Sequence, residues 1–435
     1  MAKKSLGTAQ TVQSMLRNNC ILIEVDGAIR RISLDNLMNA INEGNEELLR
    51  EVAWGVPIKQ ATQSSPAWGR VGNLDMWAQY KAATGRYLLK NNGKAAKLSV
   101  GNSGVYADGT TLDETAGHII VHAPRLYYLV KTDAVTSIPY LWMSQLPIGG
   151  HYIDTINLGA YLGSLSSGKL TSRSGVAPQG SKTINEFWTA AQANGTKFGL
   201  MSYDHQRWLV MMALSEYGNP NIQAMLGNGI TGSNNSSDYT TPLSFLTGAT
   251  KSLGDGFGKV DKSWTNSGGT AVLDACDVSV LGIENPYGLM WQMLQGIYCG
   301  NSGNSGHDGT EVFIYEGNRL PSNAELTSHP LGDYRQLTRP TSNNFIVREI
   351  LGEFFDLIPS NITGGGSTSY WCDYFYGNDT GQLVLLGGNA YYGAFCGLAS
   401  LYSGDAFSLS DASVGSRLAY YGEIEIVDGK DIATA

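Results

Sequence analysis

Two short runs of mostly apolar residues, 20–25 and 28–32, flank Asp26-Gly27, a dipeptide suited to a tight type I′ turn, so the patterned chain is expected to begin with a β-hairpin. The period then changes. Leu34, Leu37, Met38 and Ile41 recur at helical spacing behind Ser33, which can cap the first turn, and 45–53 reads as a second helix after Gly44. A short helix is expected at 75–83, and 101–117 reads as loop with at most short strands. Aromatic and β-branched side chains crowd 126–131 and 138–144, which read as strands, with another short one at 158–162. Two helices interrupt this run. The first, 182–194, places Ile184, Phe187, Trp188 and Ala191 on one face and stops at Asn194-Gly195. The second, 204–217, ends at Gly218 and is apolar nearly all round, which predicts burial between layers. Further strands are expected at 272–276, 288–298, 312–315, 344–350, 370–376, 382–386, 417–421 and 423–427, separated by small polar tracts at 229–239, 263–269 and 300–309.

This alternation of strands, two helices and long Gly/Ser/Asn-rich loops predicts an α+β fold. The 435 residues suggest two or three domains: a small attachment or oligomerisation unit at 1–70, a linking or small β region at 71–123, and a main body at 124–435. Composition sharpens the picture. There are 54 Gly, 23 Tyr and 9 Trp with only 15% charged residues; because Gly costs about 1 kcal/mol in a helix interior, the elements should be short and the loops long. Tyr and Trp spread among Gly and Ser give rigid contact area at low ordering cost, the composition of a protein-binding surface.

The net charge of −9 offers no global attraction to phosphate backbones or anionic lipid, so neither nucleic acid nor membrane insertion is expected. The longest apolar run, 208–214, is far short of the roughly 20 residues of a bilayer crossing, and the basic Met1-to-Ser5 start lacks an apolar stretch behind it, which argues against secretion by the usual signal. The five cysteines, at 20, 276, 299, 372 and 396, form neither a CxxC pair nor a zinc spacing and suit assembly in a reducing cytosol.

The order of parts carries a resemblance. Two short helices are followed by 282–296, where Asn285, Tyr287, Gly288, Trp291 and Gly296 follow an N-x-Y-G-x-x-W-x-x-x-x-G pattern, and the chain closes through Gly415-Ser416-Arg417. This resembles the formylglycine-generating-enzyme type of C-type-lectin-like fold, as used by bacteriophage tail receptor-binding proteins and retroelement-diversified tropism determinants. The resemblance covers about 124–422. It implies a phage tail protein, assembled in the host cytoplasm and carried on the virion, that binds a host surface protein or glycan as well as other tail proteins. Both the resemblance and the gain from several weak sites acting together imply a homotrimer. It also implies that the Gly- and aromatic-rich region before the last strand contacts the ligand.

In that region, Tyr370, Asp373, Tyr374, Tyr376, Asn378, Asn389, Tyr391, Tyr392, Phe395, Tyr402 and Asp405 are the candidate ligand-binding residues, while Trp371, Leu383 and Leu385 are expected to pack against the sheet. Asn285, Tyr287, Gly288, Trp291 and Arg417 are read as scaffold: Pro286 and Gly288 shape a rigid turn that aims Trp291 inward, Gly415 permits close approach of the last strand, and Arg417 pins a carboxylate such as Asp274 or Glu284. Catalysis is not expected. The related oxidases use a close cysteine pair, and Cys372 and Cys396 are far apart in sequence. His118 and His122 fall on a strand rather than a zinc-binding helix, His205 reads as a surface or capping residue, and neither a calcium loop nor a defined carboxylate pair is present, so no cofactor or metal is expected. A structural virion protein and an enzyme of the same fold are the alternatives.

Overall fold

The computed structural model describes residues 20–25, 28–42, 44–58, 68–133, 135–235, 239–315, 317–328, 333–349, 352–369 and 371–433. The expected turn at Asp26-Gly27 lies outside them, but the strands on either side, Cys20–Val25 and Ala28–Ser33, pair antiparallel with Val25 opposite Ala28. Ser33 Oγ accepts from the Asn36 amide at 3.2 Å and so caps helix α1 (Leu34–Asn42), which buries Leu37 and Ile41. Helix α2 (Glu46–Val52) is capped the same way by Asn45, whose Oδ1 accepts from the Leu48 amide at 2.9 Å. The chain then enters strand Trp54–Pro57 of a five-stranded antiparallel sheet, whose order is His151–Ile153, Leu126–Thr132, Pro139–Ser144, Trp54–Pro57, Val71–Gly72. Trp54 is fully buried, packs on Trp77 and Tyr80 of helix α3 (Leu74–Ala83), and donates through Nε1 to Ser215 Oγ at 2.8 Å.

Two eight-stranded sheets carry most of the rest, beside a three-stranded sheet of Gly258–Thr265, Ala271–Val280 and Ile283–Glu284, making a mixed α+β fold with several antiparallel sheets. The first runs Phe198–Leu200, Leu418–Tyr420, Ile156–Gly159, His118–Ala123, Gly85–Leu89, Lys94–Ser99, Glu425–Ile426, with Asn102–Tyr106 added beside Lys94–Ser99. The expected division at residue 123 therefore runs through this sheet, in which strands from 85–123 pair with strands from 156–159 and 425–426. The stretch 101–117, expected to be mostly loop, supplies the strand Asn102–Tyr106. The second sheet runs Arg335–Thr338, Glu311–Ile314, Trp291–Cys299, Leu383–Leu386, Leu401–Asp405, Tyr374–Gly377, Asn344–Phe345, with Val414–Gly415 parallel to Trp291–Cys299. The single strand expected at 344–350 is divided, since Arg348–Glu349 pairs with Pro359–Asn361 in a separate ladder.

Helices α4 (Ile184–Gln192) and α5 (Tyr203–Tyr217) occupy the expected segments, but strand Phe198–Leu200 stands between them. Helix α5 is buried as its all-round apolar pattern requires, with Trp208, Leu209, Met211, Met212 and Leu214 inaccessible. Its polar residues are paired internally: Arg207 donates to Tyr128 Oη at 2.9 Å and the Phe354 carbonyl at 2.7 Å, and His205 Nδ1 accepts from the Ser202 amide at 3.0 Å. His205 is thus a buried cap rather than a surface residue. Gly218, at φ 58°, ends the helix, and its amide returns to the Leu214 carbonyl at 2.8 Å. Among the described residues no helix is long and apolar enough to cross a membrane.

The turn at 284–288 is the polar centre of the body. Asn285 holds φ 45°, accepts from the Val278 amide at 2.9 Å and donates to Asp277 Oδ1 at 2.7 Å, so its side chain ties the turn to a neighbouring strand rather than to its own backbone. Gly288 lies at φ 98°, where a Cβ would meet the Asn228 carbonyl oxygen at 3.0 Å. Tyr287 is fully buried and donates to the Gly227 carbonyl at 2.9 Å, and Trp291 is buried at the start of its strand. Arg417 does not pin a carboxylate. Asp274 is exposed, and the Glu284 carboxylate is taken by the Gly248 and Thr250 amides at 2.7 and 2.8 Å and by Thr250 Oγ1 at 2.7 Å. The guanidinium donates instead to the carbonyls of Gly159 (2.9 Å), Glu284 (2.7 Å) and Asn285 (3.2 Å) and to Gln292 Oε1 (3.0 Å), because the turn aims converging backbone acceptors at it. Gly415 allows the expected close approach, since a Cβ there would stand 3.0 Å from the Gln179 carbonyl oxygen.

Candidate functional site

Strands Tyr374–Gly377 and Leu401–Asp405 run parallel, with Tyr376 opposite Tyr402. Because side chains alternate along a strand, Phe375 is sunk into the core while Tyr374 and Tyr376 stand on the other face, half-buried. Tyr402 shares their face beside Tyr376, with ring centroids 5.6 Å apart. A loop between Leu383–Leu386 and Leu401–Asp405 lays three more rings over this surface. Tyr392 lies 5.0 Å from Tyr376, Phe395 stacks on Tyr374 at 4.7 Å and 24°, and Tyr391 meets Tyr392 edge-on at 5.3 Å. Trp291 closes the floor, with Tyr376, Tyr392 and Tyr402 at 6.0, 5.8 and 5.7 Å. The result is a continuous aromatic surface whose outer members are Tyr391, 49% exposed, and Phe395, 38% exposed.

The loop is held from beneath. Asn389 Oδ1 accepts from the Tyr391 amide at 3.0 Å, its carbonyl accepts from the Tyr392 amide at 3.1 Å, and the Ala390 amide donates to the buried Tyr239 hydroxyl at 2.6 Å. Asp373 lies deeper still, accepting from Gln223 Nε2 at 2.6 Å and the Ala399 amide at 2.7 Å. Burial pushes its carboxyl up to about 7.

Of the candidate ligand-binding residues, the fold therefore gathers Tyr374, Tyr376, Tyr391, Tyr392, Phe395 and Tyr402 into one surface. Asp373 and Asn389 are corrections: at 2% and 1% exposure they cannot touch a ligand, and they serve as the bolts of the loop. Asn378 is exposed but outside the ring cluster, where it closes a turn by accepting from the Thr380 amide and hydroxyl, both at 2.9 Å. Asp405 is half-buried beside Tyr402, and burial followed by the charge of Asp411 raises its carboxyl. Tyr370 lies outside the described residues. Phe345, absent from the candidates, belongs to the cluster, at 5.0 Å from Tyr374 and 5.1 Å from Phe395. Its only signal was the short strand expected around it. Trp371 packs inward, edge-on to Trp68 at 5.2 Å.

The electrostatics suit non-covalent contact. Burial raises the phenols of Tyr376 and Tyr392 and takes Tyr402 to about 12, so all three remain neutral donors. Among the described residues the cation-over-ring contacts lie elsewhere, for example Arg319 over Tyr315 at 4.2 Å. Cys372 and Cys396 are buried thiols, both raised by burial, Cys372 to about 12. His118 and His122 point to separate partners, Asn91 at 3.0 Å and Asn157 at 2.8 Å, as expected for residues about 13 Å apart along a strand. Among the described residues no group of three His, Cys, Asp or Glu side chains is placed to hold a metal. No protein-family model matches the chain, and no curated protein matches it.

Proposed function

We propose that the chain is a recognition protein that binds a ligand on a bacterial surface, protein or glycan, through the aromatic surface around Tyr391 and Phe395, as a homotrimeric component of a phage tail with a C-type-lectin-like body. The observation that carries this reading is a set of half-open rings on a rigid sheet. Rings packed at 4.5–6.0 Å on one another pre-organise the face, and the two outermost remain open to a partner. The sequence pattern adds support, since the rings lie before the closing strand, where the lectin-like resemblance implies ligand contact. Recognition is favoured over catalysis because both thiols near this surface are held protonated, whereas the related oxidases work through a reactive cysteine pair.

The test is a double variant, Tyr391→Ala with Phe395→Ala, assayed for adsorption of the purified chain to host cells. Folded protein that no longer adsorbs supports recognition. Unchanged adsorption removes the contact surface, and loss of particle assembly with intact adsorption favours a structural virion role.

A further inference from the structure

The charge around the ring surface narrows the kind of partner it can take, an inference that rests on the recognition role proposed above. Asp405, beside Tyr402, and Asp411 stand at its rim, both half-buried. They lie close enough to the Tyr392 phenol for their charge to act on it. Asp411 accepts from the Ser413 amide and hydroxyl, each at 2.7 Å and each through Oδ1, so Oδ2 has no hydrogen-bond partner among the described residues. Among those residues neither carboxylate has an ion-pair partner, because the basic groups of the neighbouring segments are committed elsewhere. Lys182 follows Ser181, whose amide donates to the Asp411 carbonyl, and its ammonium pairs with Glu186 at 3.0 Å. Lys262 lies over Phe245 and pairs with Asp277 at 3.1 Å, and the buried Arg339 donates to the Asn378 carbonyl at 2.7 Å. The rim therefore sets two uncompensated like charges beside aromatic faces that are themselves electron-rich. Such a surface repels a carboxylate or phosphate and attracts a cation.

Shape selects among cations. Neighbouring rings stand only 4.5–6.0 Å apart between centroids, so they fill the space between one another and leave no slot in which a small ammonium ion could be caged. What stays open is the outer side of Tyr391 and Phe395, a platform for a group presented from a second surface. An arginine side chain suits it: the guanidinium is planar, stacks on a ring face and offers paired N–H donors to a carboxylate. A neutral glycan would also stack on the rings, but it would leave the charges of Asp405 and Asp411 uncompensated.

We propose that the ring surface binds a basic segment of a partner protein, with arginine side chains stacked on the open rings and donating to Asp405 or Asp411. The experiment is calorimetric titration of the full chain with a short Gly-Arg repeat peptide, its uncharged Gly-citrulline counterpart and a neutral maltooligosaccharide. The arginine peptide is expected to bind at least about tenfold more tightly than the other two. Asp405→Asn with Asp411→Asn is expected to weaken it by at least about tenfold at an unchanged thermal midpoint, since Asn at 411 keeps the acceptor for Ser413. Asp274→Asn with Glu47→Gln, which removes as much exposed charge elsewhere, is expected to leave the affinity unchanged. No binding of the arginine peptide, equal binding of the citrulline peptide or the sugar, full affinity in the Asp405/Asp411 variant, or an equal loss in the Asp274/Glu47 variant would each overturn the assignment. Adsorption to host cells separates it from the role beneath it. Adsorption lost in Tyr391→Ala with Phe395→Ala, but kept in the Asp405/Asp411 variant and after protease treatment of the cells, overturns the basic protein partner, points to a glycan and leaves recognition standing. Adsorption unchanged in the Tyr391/Phe395 variant overturns both.

Discussion

At Arg417 a fully buried guanidinium makes four hydrogen bonds to acceptors of its own chain, whereas at Tyr391 and Phe395, a few strands away, large rings stand 49% and 38% open to water. Both regions grow from Gly-rich turns feeding the same sheet. The difference lies in what each leaves unsatisfied. A buried polar group must find its partners inside the fold, so the 284–288 turn and Arg417 are committed to each other and have no capacity left for a ligand. A Tyr ring can pack one face on its neighbours and keep the other face and its hydroxyl for solvent, so the ring surface is complete as structure and still open as a contact. Residues of one composition thus divide into scaffold and surface according to how many of their bonds the chain itself makes.

The largest expected effect tests the closed side. Arg417→Met retains much of the volume but removes the guanidinium's donation to Gln292 Oε1 and to the carbonyls of Gly159, Glu284 and Asn285, of which Asn285 keeps the Gln292 amide at 3.2 Å, and should cost about 3–5 kcal/mol in urea denaturation. A loss below ~1 kcal/mol would mean that the hub is not what commits this region to the interior.

Asp373 lies between the two extremes: it supports the ring surface but is itself buried. Its carboxyl, near 3.8 when unfolded, is held at about 7 in the fold, so the folded state keeps its proton to higher pH than the unfolded chain. The contribution is fully present below about pH 4 and is lost as pH rises through 7, a span of at most about 4 kcal/mol. Asp255, raised to about 6 chiefly by burial, titrates in the same direction, so the informative quantity is the difference between proteins. Stability of the parent minus that of Asp373→Asn should fall between pH 4 and pH 7.5; a flat difference would show that the carboxylate is already ionised and compensated by Gln223 and Ala399.

What could be read from the sequence was local. Ser33 as a cap, Gly218 as a stop and the buried α5 all follow from spacing within one or two turns, and the aromatic density of 370–405 marks the segment that supplies most of the clustered rings. Pairing was not legible. Phe345 joins the rings because it lies opposite Tyr374 in an antiparallel ladder, a relation between segments nearly thirty residues apart that composition does not encode. Arg417 was assigned a carboxylate because side-chain charge is visible in a sequence, while the backbone carbonyls that hold it carry no residue signature. Asp373 and Asn389 read as surface groups in the sequence for a related reason: in a loop held by its own amides, polarity marks the bolts as well as the exposed face.

The smallest stability effect is the one that matters most for the proposed recognition role. Tyr391 already exposes 49% of itself, and its amide bond to Asn389 Oδ1 belongs to the backbone and survives truncation. Tyr391→Ala should therefore cost under about 1 kcal/mol, since only the apolar area already removed from water is lost. Thermal denaturation of that variant, run beside Arg417→Met, puts both sides of the comparison on one scale. A Tyr391→Ala penalty close to that of Arg417→Met would mean that the ring is a keystone of the loop, and a protein that spends its outermost aromatic on its own stability has no rigid open face there to offer a partner. A small penalty leaves the ring free for contact, because the sheet beneath and Tyr376, Tyr392 and Trp291 keep their packing when it is removed.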